Sequence, residues 1–292
     1  GAVLEIGRRQ VDPVPGLAVL SDVVLTEGPM RLVVREVRLL DIGPERVGRA
    51  ELLRAAITEP GGPSGEAARL LVAGLPLPPP GAAFELDTLR FDALEAEGVS
   101  FADPANGTFR LGRLAARAVV PGAIGDGLVE GFEFRAEGPD PQAFRLGRAA
   151  LEAVVLPLEG GDFAPLAFRA GRIALEGLEL RDPDKGVTFG LGRAVLADWV
   201  PGRLADLAVK GVRVTAPSDE FGLVEASLGR LAARGIDAPT TIAAMLGERQ
   251  PPDPRPGTPQ AVAVEGLEVR GDGQELATLG RFAVEAALEG GI

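Results

Sequence analysis

Apolar and polar residues alternate along most of this chain, and the same short phrases interrupt the alternation at intervals. An apolar run is broken by Glu-Gly or Lys-Gly, a turn rich in Pro, Asp and Gly follows, and a second apolar run is broken by Leu-Gly-Arg. The phrase is spelled VEGFEFRAEGPDPQAFRLGRAAL, ALEGLELRDPDKGVTFGLGRAVL, AVKGVRVTAPSDEFGLVEASLGRLAA and AVEGLEVRGDGQELATLGRFAV, with a looser copy, AEGVSFADPANGTFRLGRLAA, ahead of them. Such self-similarity marks a repeat architecture. Within a copy, Ile173 to Arg181 and Val187 to Trp199 predict strands, and Asp182-Pro183-Asp184-Lys185-Gly186 between them predicts a hairpin turn. The repeats therefore read as an antiparallel meander. The return segments LAARAVV and AVLADWV carry helical propensity, but they are short and end at Pro, which favours strands.

The glycines add a second inference, because the alternation changes phase at each of them. Val262 and Val264 precede Glu265-Gly266 while Leu267 and Val269 follow it, and Phe189 and Leu191 precede Gly192-Arg193 while Ala194 and Leu196 follow. In a plain strand the second pair would face the opposite way. A β-bulge at the glycine absorbs one residue and keeps all four on one side; bulges at matching heights would bend the sheet into a trough with one apolar wall. Strands that cross from one packed sheet to another at the glycine would give the same pattern.

Toward the N-terminus, SDVVLTEG and MRLVVREVRLLDI predict two strands around Glu27-Gly28-Pro29. RVGRAELLRAAI and SGEAARLLVAGL have apolar residues at helical spacing, with Ser64 placed as a cap, and predict one or two short helices between Pro44 and Leu77. A stiff Pro-rich connector over 76–80 follows. The chain thus divides into 1–83, with strands, short helices and connector, and 84–292, the hairpin repeats. Within the latter, 236–260 reads as an inserted short helix and a Pro-rich loop. The expected fold is mainly β: an elongated antiparallel meander of repeated hairpins with bulges, a curved sheet and a few short helices.

Composition narrows what such a sheet can do. Of 292 residues, 46% are hydrophobic but only 4% aromatic, with twelve Phe, one Trp and no Tyr, so Val, Leu, Ala and Phe must form the apolar surfaces. A net charge of -12 without a lysine-rich run argues against nucleic acid, whose binding is driven by release of counterions to basic residues. With neither His nor Cys there is no imidazole base, thiol nucleophile or disulfide. No run of about 18 apolar residues suggests a transmembrane helix. No pair of carboxylates is singled out by spacing, and no cofactor or metal is expected. Asp182 to Gly186 resembles a calcium loop only in part and reads better as a turn; Gly122 to Gly127, although glycine-rich, also reads as a turn rather than a phosphate cradle.

Two sets of residues remain as candidates. Phe109, Leu111, Phe132, Phe134, Phe144, Leu146, Leu178, Leu180, Phe189, Leu191, Val212, Val214, Leu267 and Val269 would line the apolar wall. A wall of that size needs a cover, and few helices are available to supply one. Arg113, Arg148, Arg193, Arg230 and Arg281 each follow Leu-Gly and would form a ladder. They would contact lipid headgroups or, more simply, pair with Glu130, Glu176 and Glu265 across the strands.

The repeated strand, Glu-Gly, Pro/Asp turn and Leu-Gly-Arg over Phe91 to Leu288 resemble the repeats of AsmA-like bacterial envelope proteins, including the TamB relatives. That resemblance implies an elongated, taco-shaped sheet in the periplasm or cell envelope with a lipid-holding groove. The chain shows no membrane anchor and is short for that group. The expectation is a non-enzymatic protein that binds or transfers an apolar lipid. The alternative is an assembly protein that pairs with an envelope partner, or with itself, through sheet edges.

Overall fold

Turn chemistry between short apolar runs produces one strand after another. The structure is a computed structural model that describes residues 2–12, 16–77, 90–137, 141–156, 158–159, 162–163, 168–200, 204–237 and 259–287. Two compact units result, Gly1–Pro139 and Asp140–Ile292. The first holds β1 (Val3–Asp12), β2 (Leu17–Glu27), β3 (Met30–Ile42), β4 (Arg46–Thr58), β5 (Ser64–Pro76), β6 (Phe91–Asp103), β7 (Gly107–Val120) and β8 (Ala123–Ala136). The second holds β9 (Gln142–Val155), the two-residue pieces β10 (Leu158–Glu159) and β11 (Asp162–Phe163), β12 (Ala170–Asp182), β13 (Val187–Trp199), β14 (Leu204–Ser218), β15 (Gly222–Asp237), β16 (Pro259–Gly271) and β17 (Gln274–Ala287). Within each unit the long strands pair antiparallel with their neighbours in sequence, β9 pairing β12. Among the described residues β1 pairs only with β2 and β17 only with β16, so neither ladder closes on itself.

No helix occurs among the described residues. The two segments with helical spacing are β4 and β5, and Ser64 opens a strand rather than capping a helix. The strand β1 has no counterpart in the sequence reading. The helix expected after Asp237, the loop 249–258 and most of the proline connector lie outside the described residues.

The phase change at the glycines has a different cause from an inserted residue. Pairing runs Leu175 with Ala194, Glu176 with Arg193, then Leu178 with Leu191, so Gly177 and Gly192 drop out of the ladder together and the register is unchanged. The same paired omission recurs at Gly147, Gly211, Gly229, Gly266 and Gly280. It is an in-register kink, not a bulge; true register shifts occur only between Ala205 and Leu207 and between Val269 and Arg270 among the described residues. Left-handed backbone alternates from strand to strand: Gly177, Gly211 and Gly266 have φ of 65°, 67° and 64°, whereas Gly147, Gly192 and Gly229 do not. The second set is glycine for another reason. A Cβ on Gly147, Gly192 or Gly229 would stand 3.0, 3.1 or 3.1 Å from the carbonyl oxygen of Glu176, Lys210 or Glu265 on the next strand. Glu-Gly supplies the left-handed turn and Leu-Gly-Arg leaves room for the carbonyl it displaces.

In the first unit the same line passes through Asp22, Arg35, Arg54, Ala68, Gly98, Gly112 and Gly131. Its effect on side chains is visible in one cluster: Leu20 with Val23, Val34 with Val37, Leu52 with Ala55, and Ala67 with Leu70 pack together, each pair three residues apart across the kink. An i, i+3 spacing that imitates a helix is therefore what a kinked strand shows, and because Arg54 and Ala68 replace the glycines in β4 and β5, nothing in those strands marks the kink. A second line crosses Asp41, Gly74 and Ala118, with φ of 54°, 69° and 49°. Its counterpart in the second unit gathers Val154, Ala170, Trp199 and Ala205 with Leu151, Ile173 and Leu196. Arg54, at φ 52°, carries the strain of a side chain in left-handed backbone and is exposed. Arg54→Gly is expected to raise stability by about 0.5–1 kcal/mol, the relief of strain less glycine's entropy, read as a higher urea midpoint.

Candidate functional site

Alternation on each side of a kink sends Leu, Val and Phe to one face and charged residues to the other. In the second unit, Leu146, Leu178, Leu191, Val212, Leu228 and Leu267 stand in register across successive strands, and Phe144, Leu180, Phe189, Val214, Ala226 and Val269 form a parallel row. In the first unit, Leu111 pairs with Val99 and Phe132, and Phe109 pairs with Phe101 and Phe134. The rings of Phe101, Phe109 and Phe132 stack, with centroids 5.6 and 6.4 Å apart. All fourteen wall positions thus fall into paired rows on one face of their own unit. Sequence reading stopped at Phe109 in the first unit, but the rows continue through Ala67, Ala55, Val34 and Val23, where glycine does not mark the kink.

The wall is poorly covered. Among the described residues no large side chain is fully buried; of the fourteen expected wall residues only Leu191 is buried, although Val23, Val34, Ala55 and Ala67 at the N-terminal end of the rows are buried too, and Leu180 and Phe134 remain 40% and 38% exposed. The other expected wall residues are half-buried. One sheet layer supplies only the neighbours within its own face.

On the opposite face the five expected arginines do not stand on adjacent strands but alternate with other residues. Arg113 lies 3.9 Å from Glu130, Arg193 3.6 Å from Glu176, Arg230 3.9 Å from Glu265 and Arg281 3.8 Å from Glu265. Arg148 stands in register with Glu176. These are exposed cross-strand pairs, each worth at most about 1 kcal/mol.

A tighter network that sequence reading missed spans β3 to β6 and centres on β4 and β5. Glu51 is 7% exposed, and Arg69 Nε donates to its Oε1 at 2.6 Å while Arg69 Nη1 donates to Glu95 at 2.9 Å and Glu97 at 3.2 Å. Arg38 and Arg49 lie 3.7 and 3.6 Å from the same carboxylate. The hydrogen bond from Arg69 holds the Glu51 carboxyl below its ordinary range against the opposing effect of burial, and Arg69 is raised in return. Asp103 and Asp182 are also lowered, chiefly by the backbone N–H groups of Ala105 and Lys185 in their turns. Asp182 accepts from Lys185 N at 3.1 Å and Gly186 N donates to Pro183 O at 3.2 Å, so this segment is a closed hairpin turn. Each of these three shifts favours the ionised carboxylate. No group of three metal-ligating residues occurs among the described residues, nor a helix long and apolar enough to cross a membrane.

No protein-family model matches this chain, and a search of the curated proteins finds no significant match.

Proposed function

We propose that the protein is a non-enzymatic lipid-binding sheet of the bacterial cell envelope, which holds or passes on acyl chains along its apolar wall. The observation that carries this reading is the uncovered pair of rows through Leu178 and Leu180, repeated in the first unit through Leu111 and Phe109. Each row in the second unit crosses seven strands, roughly 29 Å at about 4.8 Å per strand. Such a strip is long, narrow and without polar side chains, which suits an extended hydrocarbon better than a folded solute. Each methylene fully removed from water contributes about 0.8 kcal/mol. The likeness of the repeats to AsmA-like proteins supports the same reading, and the periplasmic location is proposed on that basis.

Native mass spectrometry of gently purified protein tests it. Lipid adducts are expected on the intact chain and should fall severalfold in Phe134→Glu and Leu180→Glu, which alter exposed positions and leave the fold intact. Adduct-free protein, or adducts indifferent to both changes, would reject the proposal.

One observation favours the rival reading of edge-to-edge assembly: β1 presents Val3, Leu4, Ile6 and Val11 at 39–59% exposure beside an unpaired edge. Light scattering over a concentration series separates the readings, since an assembling protein grows and a carrier does not.

A further inference from the structure

On the polar face the charge at two positions is acidic or neutral on every strand with a left-handed glycine at the kink except one; β6, with Glu97 and Ser100 around Gly98, has the acidic residue at the first position only. Immediately before the left-handed glycine, and again two residues after it, β8 carries Glu130 and Glu133, β12 carries Glu176 and Glu179, and β16 carries Glu265 and Glu268. At the same two positions β14 carries Lys210 and Arg213. The reversal sets Lys210 in register between Arg193 and Arg230, three cations side by side where the repeat elsewhere alternates in sign. Like charges directly opposite each other destabilise a sheet. Arg193 and Arg230 have their ion pairs on the outer sides, with Glu176 and Glu265, while Lys210 and Arg213 have none among the described residues.

The surface beside Arg213 is open. Arg213 stands in register with Gly190, whose backbone is not left-handed and whose added Cβ would meet nothing nearer than Arg213 O at 4.0 Å. Glycine is thus not required there by conformation or by space. An open depression of about 530 Å3 lies beside it, lined by Thr188, Arg213 and Thr215, by Glu179, whose carboxylate lies 3.5 Å from Arg181, and by Leu178 and Leu180; Lys210 stands outside it, three residues before Arg213. By the alternation of the strands, Lys210 and Arg213 share the face opposite Leu178, Leu191 and Val212.

We propose that this patch is a binding site for a phosphate group, with Arg213 at the depression and Lys210 outside its rim as the principal contacts. Arg213 offers the planar fork that matches phosphate oxygens, Lys210 a compact charge, and the hydroxyls of Thr188 and Thr215 further donors. A bound dianion removes the repulsion among Arg193, Lys210 and Arg230, which accounts for a cation row that the fold alone disfavours. The phosphate could belong to a small phosphorylated solute or to a lipid headgroup, and the two sources are separable.

Titration calorimetry of the whole chain with pyrophosphate, and flotation with phosphatidylcholine vesicles with and without phosphatidate, test the site. The variant Lys210→Glu/Arg213→Glu restores the charges of the sister strands, so it is expected to fold with equal or higher Tm while binding at least tenfold more weakly. Gly190→Thr, which fills the depression without changing charge, is expected to weaken binding as well. Binding of free pyrophosphate assigns a soluble ligand; binding of phosphatidate vesicles alone assigns a headgroup. Binding of neither probe, or binding that survives either variant, overturns the proposal. Phe134→Glu, in the first unit and outside the depression, is expected to leave pyrophosphate binding unchanged, so failure of the lipid reading is distinguishable from failure of this one.

Discussion

Alanine in place of Glu51 is expected to lower the stability of the N-terminal unit by about 3 kcal/mol, the cost of leaving a buried charge without its partner. Glu51 is 7% exposed and receives the Arg69 Nε hydrogen bond at 2.6 Å, with Arg38 and Arg49 within 3.7 Å. Its removal leaves three guanidinium groups around an emptied position. Arg69 retains Glu95 and Glu97, which keeps the loss below that of an isolated charge. Urea unfolding at neutral pH measures the difference, and a change under about 0.5 kcal/mol, the range of an ordinary surface substitution, would show that the pair contributes nothing. The pH dependence carries its own sign. Because the folded-state pKa lies below the ordinary 4.5, the folded state binds the Glu51 proton less readily than the unfolded state does. Its contribution is fully present above the unfolded pKa and declines as pH falls through the folded value. The gap between wild type and Glu51→Gln should therefore be constant from neutral pH to about 5 and narrow below the ordinary carboxyl range.

The second large effect is expected at Gly107, which begins β7 directly after the turn Asp103 to Asn106. The turn is closed by Asp103, whose carboxylate accepts from Ala105 N at 2.9 Å and from Asn106 Nδ2 at 2.6 Å. The chain then enters β7 with φ 117° at Gly107, and a Cβ there would lie 2.0 Å from the carbonyl oxygen of Arg135 on β8. Backbone atoms cannot rotate aside as a side chain can. Gly107→Ala should cost about 3 kcal/mol, combining strain with lost pairing at the ends of β7 and β8. Gly61 is the control: it has φ 73° in the β4–β5 turn, but its added Cβ would meet nothing within 4 Å. Gly61→Ala should cost only about 1 kcal/mol. Equal losses in the two variants, by thermal unfolding, would place the effect in φ alone.

Which parts of this molecule are legible in its sequence follows from which signals are local. Hairpin order in the repeats is carried by turns such as Asp182 to Gly186, and the fourteen wall residues by alternation, so both can be read from neighbouring letters. The kink is recognisable where Glu-Gly and Leu-Gly-Arg mark it. It is hidden in β4 and β5, where Arg54 and Ala68 occupy the line and the i, i+3 spacing of Leu52 with Ala55 imitates a helix. The reading of a bulge failed because a phase change in one strand does not reveal that its partner undergoes the same change at the same height. The Glu51–Arg69 network was out of reach for a related reason: its members are 18 residues apart, and only the register of β4 with β5 brings them together.

The alternation of left-handed Gly177, Gly211 and Gly266 with Gly192 and Gly229, which are not left-handed, also limits how such a chain can lengthen by duplication. A lone copied strand would set two left-handed positions, or two crowded ones, against each other and spoil every seam beyond it. Growth must come in steps of two strands, so natural length variants should differ by whole hairpins.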